Sequence, residues 1–230
     1  MMLVTVLIPC FNEKKTITKV VDRVNDIKDL NLEIIIIDDN SNDGTRDLLK
    51  DKIKDKVSRI IFNNKNYGKG YCIRKGIEAS NGDAILIQDA DLEYDPSDYQ
   101  KLIKPIESGV ADVVYGSRFL GGEEKRVLFF WHSLGNKLLT IFSNMFTNLN
   151  LTDMEVGYKL FKSDILKDIN LVENRFGIEP EVTAKISKKK IRIFEVGISY
   201  YGRKYEDGKK ITWRDGFSAI RCIIKYNLFD

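Results

Sequence analysis

The chain has 230 residues, with 37 Lys and Arg against 34 Asp and Glu, a formal net charge of +3. That length can bury a substantial core as one large α/β domain, and so even a balance, with no Arg-rich helix or basic-aromatic interleaving, excludes a nucleic-acid-binding signature. Cys10, Cys72 and Cys222 are scattered through apolar stretches and fit neither a disulfide framework nor a zinc-ligand spacing, so a reducing cytoplasm is the expected compartment.

The opening run MMLVTVLIPCFNE turns apolar at once and meets Pro9, which reads as a first strand and not as a signal peptide. No window holds the roughly 18 apolar residues of a membrane span, so the protein is expected to be soluble or to sit on the inner membrane surface. Further strands are expected at Glu33 to Ile37, Arg59 to Phe62, Ala84 to Ile87 and Asp112 to Tyr115. Between them Ile17, Val20, Val21, Val24 and Ile27, and later Tyr99, Leu102, Ile103 and Ile106, recur at the spacing of one helix face. Such alternation predicts a mostly parallel sheet with helices on both faces.

In such sheets ligands bind beyond the carboxyl ends of the strands. There the sequence places Pro9, Phe11 and Glu13, then Asp38 and Asp39 with Ser41, Asp43, Gly44 and Thr45, then Asp89 and Asp91, then Gly116, Ser117 and Arg118. Gly68 and Gly70 flank Lys69 before a helix, which suits either a phosphate-contacting turn or a plain glycine turn.

The stretch AILIQDADLEYDP carries the strongest signal, because a buried strand ends in Asp89, Asp91 and Glu93. Clustered carboxylates repel one another unless a cation sits among them. Their oxygen ligands suit Mg²⁺ or Mn²⁺, whereas Asp95 before Pro96 and Ser97 reads as a helix cap.

The second half changes character. A glycine-rich charged loop, FLGGEEKR, leads into an aromatic amphipathic helix, and for Phe129, Phe130 and Trp131 beside Lys125 and Arg126 both core packing and membrane-interface contact fit. His132, the single histidine, reads as a structural contact, and it excludes a histidine metal cluster. Asp153, Glu155 and Lys159 form a short polar stretch, and Glu179 and Glu181 flank Pro180 at a helix start, where a cap or a substrate contact both fit. A strand from Ile191 to Tyr200 precedes a basic loop with Arg203, Lys204, Lys209 and Lys210, and a final amphipathic helix carries Phe217, Ile220, Ile223 and Ile224.

In order, IPCFNE, DDNSNDGT, NYGKG, QDADLE and GSR resemble the motifs of the family 2 inverting glycosyltransferases with the GT-A fold. The resemblance is closest to the dolichol- and polyprenol-phosphate mannosyl- and glucosyltransferases, and TDMEVGYKLF is similar to that group's D-x-x-x-G-[FY]-[RK] element. It implies residues 1–118 as a nucleotide-sugar-binding half and 119–230 as an acceptor-binding half of one continuous domain. By the same resemblance Pro9, Phe11, Glu13, Asp38, Asp39, Lys69 and Ala90 would hold the donor, Asp89 and Asp91 would be the metal-binding DXD motif with Glu93 as a further ligand, and Arg118, Arg203 and Lys209 would meet phosphates.

The implied reaction moves a hexose from a GDP- or UDP-sugar to a polyprenyl phosphate, with Asp91, Arg118 and Asp153 as the catalytic set. An ionised lipid phosphate requires no strong base; a saccharide hydroxyl acceptor, as in cell-wall or capsule assembly, would, and Asp153 or Glu179 is then the candidate. A non-catalytic nucleotide-sugar-binding module is the reading from another class. Two departures stand out: FFWHSLGN lacks the arginine that such synthases carry before S-x-x-N, which would pass acceptor-phosphate binding to Lys125 or Arg126, and no transmembrane helices follow, which leaves room for a separate membrane-anchoring partner.

Overall fold

A computed structural model describes residues 1–121, 126–203 and 213–230. Its elements run β1 (Leu3–Cys10), α1 (Ile17–Asn25), β2 (Asn31–Asp38), α2 (Thr45–Leu48), β3 (Arg59–Phe62), α3 (Lys69–Ala79), β4 (Ala84–Ile87), α4 (Tyr99–Glu107) and β5 (Val113–Ser117). The second half supplies α5 (Phe130–Thr147), β6 (Lys159–Lys162), α6 (Ser163–Lys167), α7 (Ile178–Ser187), β7 (Ile193–Gly197) and α8 (Trp213–Leu228).

The strands form one seven-stranded sheet in the order β3-β2-β1-β4-β6-β5-β7. Ile34 to Ile37 of β2 and Val6, Leu7 and Ile8 of β1 are buried, as a strand covered on both faces requires. Ile17, Val20, Val21 and Val24 of α1, and Tyr99, Leu102, Ile103 and Ile106 of α4, give the buried faces that their spacing predicts. Ahead of α4, the Asp95 carboxylate accepts a hydrogen bond from Ser97 N–H at 2.9 Å, the capping role expected of it.

One strand escapes the sequence reading. β6 runs antiparallel between β4 and β5, with Leu86 opposite Leu160 and Val114 opposite Leu160. Four residues, KLFK, are too few for periodicity to announce a strand. Its insertion delivers residues 153–158, just upstream, to the rim where β4 ends.

The helix α5 is inside out. Its buried residues are Asn136, Thr140, Ser143 and Thr147, spaced along one face, while Trp131, Leu138, Ile141 and Met145 are exposed, Trp131 by 77%. The polar face is occupied: Met154 N–H donates to Thr140 Oγ1 at 3.2 Å, and Asn144 exchanges two hydrogen bonds with Leu151. Of the two readings of this aromatic stretch, core packing is therefore excluded for these four large apolar side chains. α5 and α7 both pack against α8, which buries Cys222, Ile223 and Tyr226 and leaves Phe217 exposed. No helix among the described residues is long and apolar enough to cross a membrane.

Candidate active site

At the carboxyl ends of β1, β2, β4 and β5 lies a cleft of about 1090 Å³, the size class of sites that enclose a nucleotide-sized ligand. Asn12 and Asn40, directly after β1 and β2, take the left-handed backbone conformation that Asn tolerates better than most residues. The two loops are then tied together. Asn12 N–H donates to Ser41 Oγ at 2.9 Å, Asn42 N–H to Asn12 Oδ1 at 2.9 Å and Glu13 N–H to Thr45 Oγ1 at 3.0 Å. Pro9, Phe11 and Glu13 thereby reach the cleft wall.

Asp38 and Asp39 part company. Successive side chains of a strand point to opposite faces. Asp39 lines the cleft and accepts hydrogen bonds from Tyr67 N–H and, at 2.7 Å, from Gly68 N–H. Asp38, expected beside it on the nucleotide, is wholly buried off the cleft lining and pairs with Arg46 Nε at 3.0 Å. It holds the loop and does not reach the cleft.

The glycine turn before α3 is set by packing. Gly68 has φ of 104°, and a Cβ there would meet Asn174 O at 2.4 Å, so no other residue fits without displacing the 173–175 backbone. The turn sends Lys69 into the cleft, where its ammonium sits 2.8 Å from Asp89 Oδ1 and 3.0 Å from Glu179 Oε1. Burial works against this charge, and the two carboxylates outweigh it, raising the Lys69 pKa above the ordinary lysine value.

The acids after β4 face two different cations. Asp89 faces Lys69, while Asp91 accepts from Arg203 Nη2 at 2.7 Å and Glu93 accepts from the Arg203 backbone N–H at 2.6 Å. The same guanidinium donates two bonds of 3.1 Å to Glu13. Burial, then the charges of Asp89 and Glu93, push the Asp91 pKa up, and Arg203 opposes them. Gly157 closes this corner, because a Cβ there would lie 2.4 Å from Asp89 Oδ2.

The expected three-carboxylate metal set is not assembled, because Arg203 and Lys69 draw its members to different partners. Among the described residues no three Asp, Glu, His or Cys side chains converge as metal ligands. The donor chemistry nevertheless fits Mg²⁺ or Mn²⁺. The ligands are oxygens with excess negative charge around Asp91, and such ions are held by one or two carboxylates together with substrate phosphates.

Arg118, at the end of β5, is 6% exposed and clamped by Asp153, with Nε to Oδ2 and Nη2 to Oδ1 both at 2.7 Å. Asp153 is wholly buried behind it and does not line the cleft. Its carboxylate is committed to Arg118, which removes it from the position of a general base. The Arg118 guanidinium lies 5.3 Å over the Tyr200 ring, and Tyr200 OH donates to Glu93 at 2.9 Å. Behind the loop after β4 Tyr94 stacks on Tyr158 at 4.6 Å, and Tyr158 and Tyr99 both donate to Gln88 Oε1 at 2.6 Å.

Of the other expected residues, Ala90 lines the cleft, and its carbonyl accepts from Thr16 Oγ1 at 2.9 Å. Lys125, Lys204, Lys209 and Lys210 fall outside the described residues. Glu179 and Glu181 are separated by the structure: Glu181 is buried and accepts from Val172 and Glu173 N–H groups at 2.8 Å, while Glu179 lines the cleft. Glu155, Asn136 and Tyr200 also line it. Nothing in the sequence marks Tyr200, but Glu155 and Asn136 stand inside motifs that do.

The sequence model of the family described as "Glycosyl transferase family 2" matches residues 5–169. An uncharacterized protein of Methanocaldococcus jannaschii is 29% identical over 96% of this chain and 97% of its own length. A dolichol-phosphate mannosyltransferase of Pyrococcus furiosus is 26% identical over 97% of this chain, which spans 63% of that protein. In fold, the chain is similar to glucosyl-3-phosphoglycerate synthase from Mycobacterium tuberculosis, solved with Mn²⁺, UDP and glucosyl-3-phosphoglycerate, with a TM-score of 0.77 and 16% identity over 98% of this chain and 80% of that one. The parallel strand ends, the carboxylate loop after β4 and these matches agree: the chain belongs to glycosyltransferase family 2, has the GT-A fold and is a glycosyltransferase.

Proposed function

We propose that this enzyme transfers a hexose from a nucleotide-diphosphate sugar to a polyprenyl phosphate at a membrane surface, in a divalent-metal-dependent, inverting reaction. The carrying observation is the inside-out α5. Its exposed Phe130, Trp131, Leu138, Ile141 and Met145 form an apolar face on the helix whose Trp131, His132, Asn136 and Leu139 line the cleft. An acceptor with a long apolar tail and a phosphate head matches a surface on which apolar exposure meets a cleft that carries Arg118 and Arg203. This face would itself supply membrane contact, with or without a separate anchoring partner. The Pyrococcus relative, named for a dolichol-phosphate acceptor, supports the same reading.

In the proposed reaction an acceptor phosphate oxygen attacks the anomeric carbon while the bond from that carbon to the diphosphate breaks, which inverts the centre. The acceptor is already ionised, so no side chain has to remove a proton, in keeping with the commitment of Asp153 to Arg118. Arg118 and Arg203 face the phosphates and stabilise charge on the departing diphosphate, and Asp153 fixes the guanidinium plane of Arg118. Asp91, with Asp89 or Glu93, would hold the metal, which when bound neutralises diphosphate charge as a Lewis acid. Residues 1–118 supply most of the donor side, and residues 119–230 the acceptor side together with Arg203 at the diphosphate.

The test is incubation with radiolabelled UDP-glucose, UDP-galactose or GDP-mannose, a short polyprenyl phosphate and Mn²⁺ or Mg²⁺. Label moving into the lipid extract is expected. Label moving only to a saccharide acceptor would replace the lipid reading.

A further inference from the structure

Three buried polar groups in the cleft have no partner among the described residues. Glu155 Oε1, Glu179 Oε2 and the Asn136 amide nitrogen are shielded from solvent and make no hydrogen bond, and all three residues line the cleft. Glu179 is 6% exposed and Asn136 9%. Leaving a buried donor or acceptor unpaired is unfavourable, so three along one cleft mark a surface completed by something that enters it. They come from α5, from the loop before β6 and from α7, elements whose meeting depends on the insertion of β6 and the packing of α7 beside α5.

The charge pattern says which part of a ligand belongs there. Arg118 and Arg203 stand on the phosphate side, while Asp39, Pro9 and Phe11 border the cleft beside β1 and β2. Burial, then the neighbouring Glu179 charge, push the Glu155 pKa up, so these two carboxyl groups suit neutral hydroxyls better than an anionic phosphate. Two carboxyl groups and one amide offer the cleft unpaired hydrogen-bonding atoms, and these complement hydroxyl groups, each of which donates one hydrogen bond and accepts others. The other Glu179 oxygen is held by Lys69 at 3.0 Å, so its free oxygen has a set direction.

We infer that Glu155, Glu179 and Asn136 form the hydroxyl-reading wall for the transferred hexose, so that they determine which epimer of the sugar is accepted. The inference rests on the proposed nucleotide-sugar reaction. Epimers differ in the direction of one hydroxyl, and a wall of fixed acceptors pairs one orientation and leaves its own buried groups unpaired with the other. Among the described residues Glu155 forms no ion pair, whereas Glu179 also holds Lys69.

The experiment is equilibrium binding in Mn²⁺ of UDP, UDP-glucose, UDP-galactose, GDP, GDP-mannose and its epimer GDP-glucose to the full chain, with Glu155→Ala, Glu155→Gln and Asn136→Ala beside the unaltered protein. Folding is checked by the thermal transition, and Asn136→Ala and Glu155→Gln carry the test if Glu155→Ala does not fold. The unaltered protein is expected to prefer one sugar among those on the base it binds by at least about tenfold. The variants are expected to cut that preference by about fivefold or more while the bare nucleoside diphosphate changes its Kd less than about twofold. Binding of a diphosphate without preference among its sugars overturns the inference. So does a preference that survives all three substitutions, or a loss of bare diphosphate affinity equal to that of the sugar nucleotide. Binding of neither UDP nor GDP is a different result, since it removes the nucleotide-sugar reading itself.

Discussion

Arg203 Nη2 donates to Asp91 Oδ2 at 2.7 Å across 112 residues of sequence, so an arginine of the chain occupies the carboxylate best suited to a metal. The same guanidinium bridges to Glu13 at 3.1 Å. Arg203 is a counter-ion to these acids, and in the proposed reaction it would also face the phosphates of a donor. Replacing it with Ala is expected to lower kcat/KM by about 100-fold. Mn²⁺ should raise the melting temperature of that variant more than it raises that of the unaltered protein, because a competing cation is gone. A melting comparison with and without Mn²⁺ separates the two effects, and Arg203→Lys should restore little of the rate, since an ammonium cannot reproduce the fork.

Asp91→Asn tests the metal assignment. Nucleoside diphosphate binding measured in Mn²⁺ and again in EDTA is expected to differ by at least about tenfold for the unaltered protein and to become nearly equal for the variant. A variant that kept the full Mn²⁺ dependence would assign the ion elsewhere.

Gly157→Ala tests the corner behind Asp89. The new methyl group would sit 2.4 Å from Asp89 Oδ2 and 3.0 Å from the Tyr94 ring. Asp89 has a short side chain tied to Lys69, so relief comes from moving the carboxylate. Stability is expected to fall by about 1–3 kcal/mol, with turnover falling more than the folded fraction does, as read by circular dichroism and product formation on one sample.

Asp112 supplies a pH dependence of folding. Its carboxylate accepts from Arg192 Nη2 at 2.8 Å and Lys162 Nζ at 2.7 Å, tying the start of β5 to β6 and β7. The Arg192 hydrogen bond, aided by Lys162 against some burial, holds the Asp112 pKa below the ordinary carboxylate value. A depressed folded-state pKa contributes stability that is complete above the unfolded value near 3.9 and is lost as pH falls toward the folded one. Asp112→Asn is therefore expected to lower the melting temperature at pH 7 by a few degrees, and the gap to the unaltered protein should narrow below about pH 4.

Membrane contact has its own readout. Leu138→Glu combined with Met145→Glu places charges on the exposed face of α5 and leaves its buried polar face intact. Cosedimentation with vesicles containing anionic lipid should fall by about tenfold or more, while nucleoside diphosphate binding in Mn²⁺ stays unchanged. Equal sedimentation of both proteins would mean that this face meets something other than lipid.

Much of the cleft rim at the ends of β1, β2 and β4 was legible in the sequence because it depends on order along the chain. The apolar runs of β1, β2 and β4, the helical spacing of α1 and α4, and the polar residues after each strand are local patterns. A parallel sheet necessarily gathers its strand ends on one rim, so Glu13, Asp39, Lys69, Asp91 and Arg118 converge there. The cap at Asp95 was legible for the same reason, since its partner is two residues away.

What only the tertiary structure decided are the choices between equivalent local readings. Periodicity shows that α5 has a polar and an apolar face; which one meets the protein depended on Met154 and Leu151 arriving beside Thr140 and Asn144. Adjacent aspartates look alike in sequence, and the strand pleat separated Asp38 from Asp39. The antiparallel β6 is too short to declare itself, yet its place between β4 and β5 carries Asp153 to Arg118 and Glu155 to the cleft. Pairing energy between residues 112 apart leaves no trace in any local window, and so the sequence supplied the carboxylates of the site while the fold alone chose Arg203 as their partner.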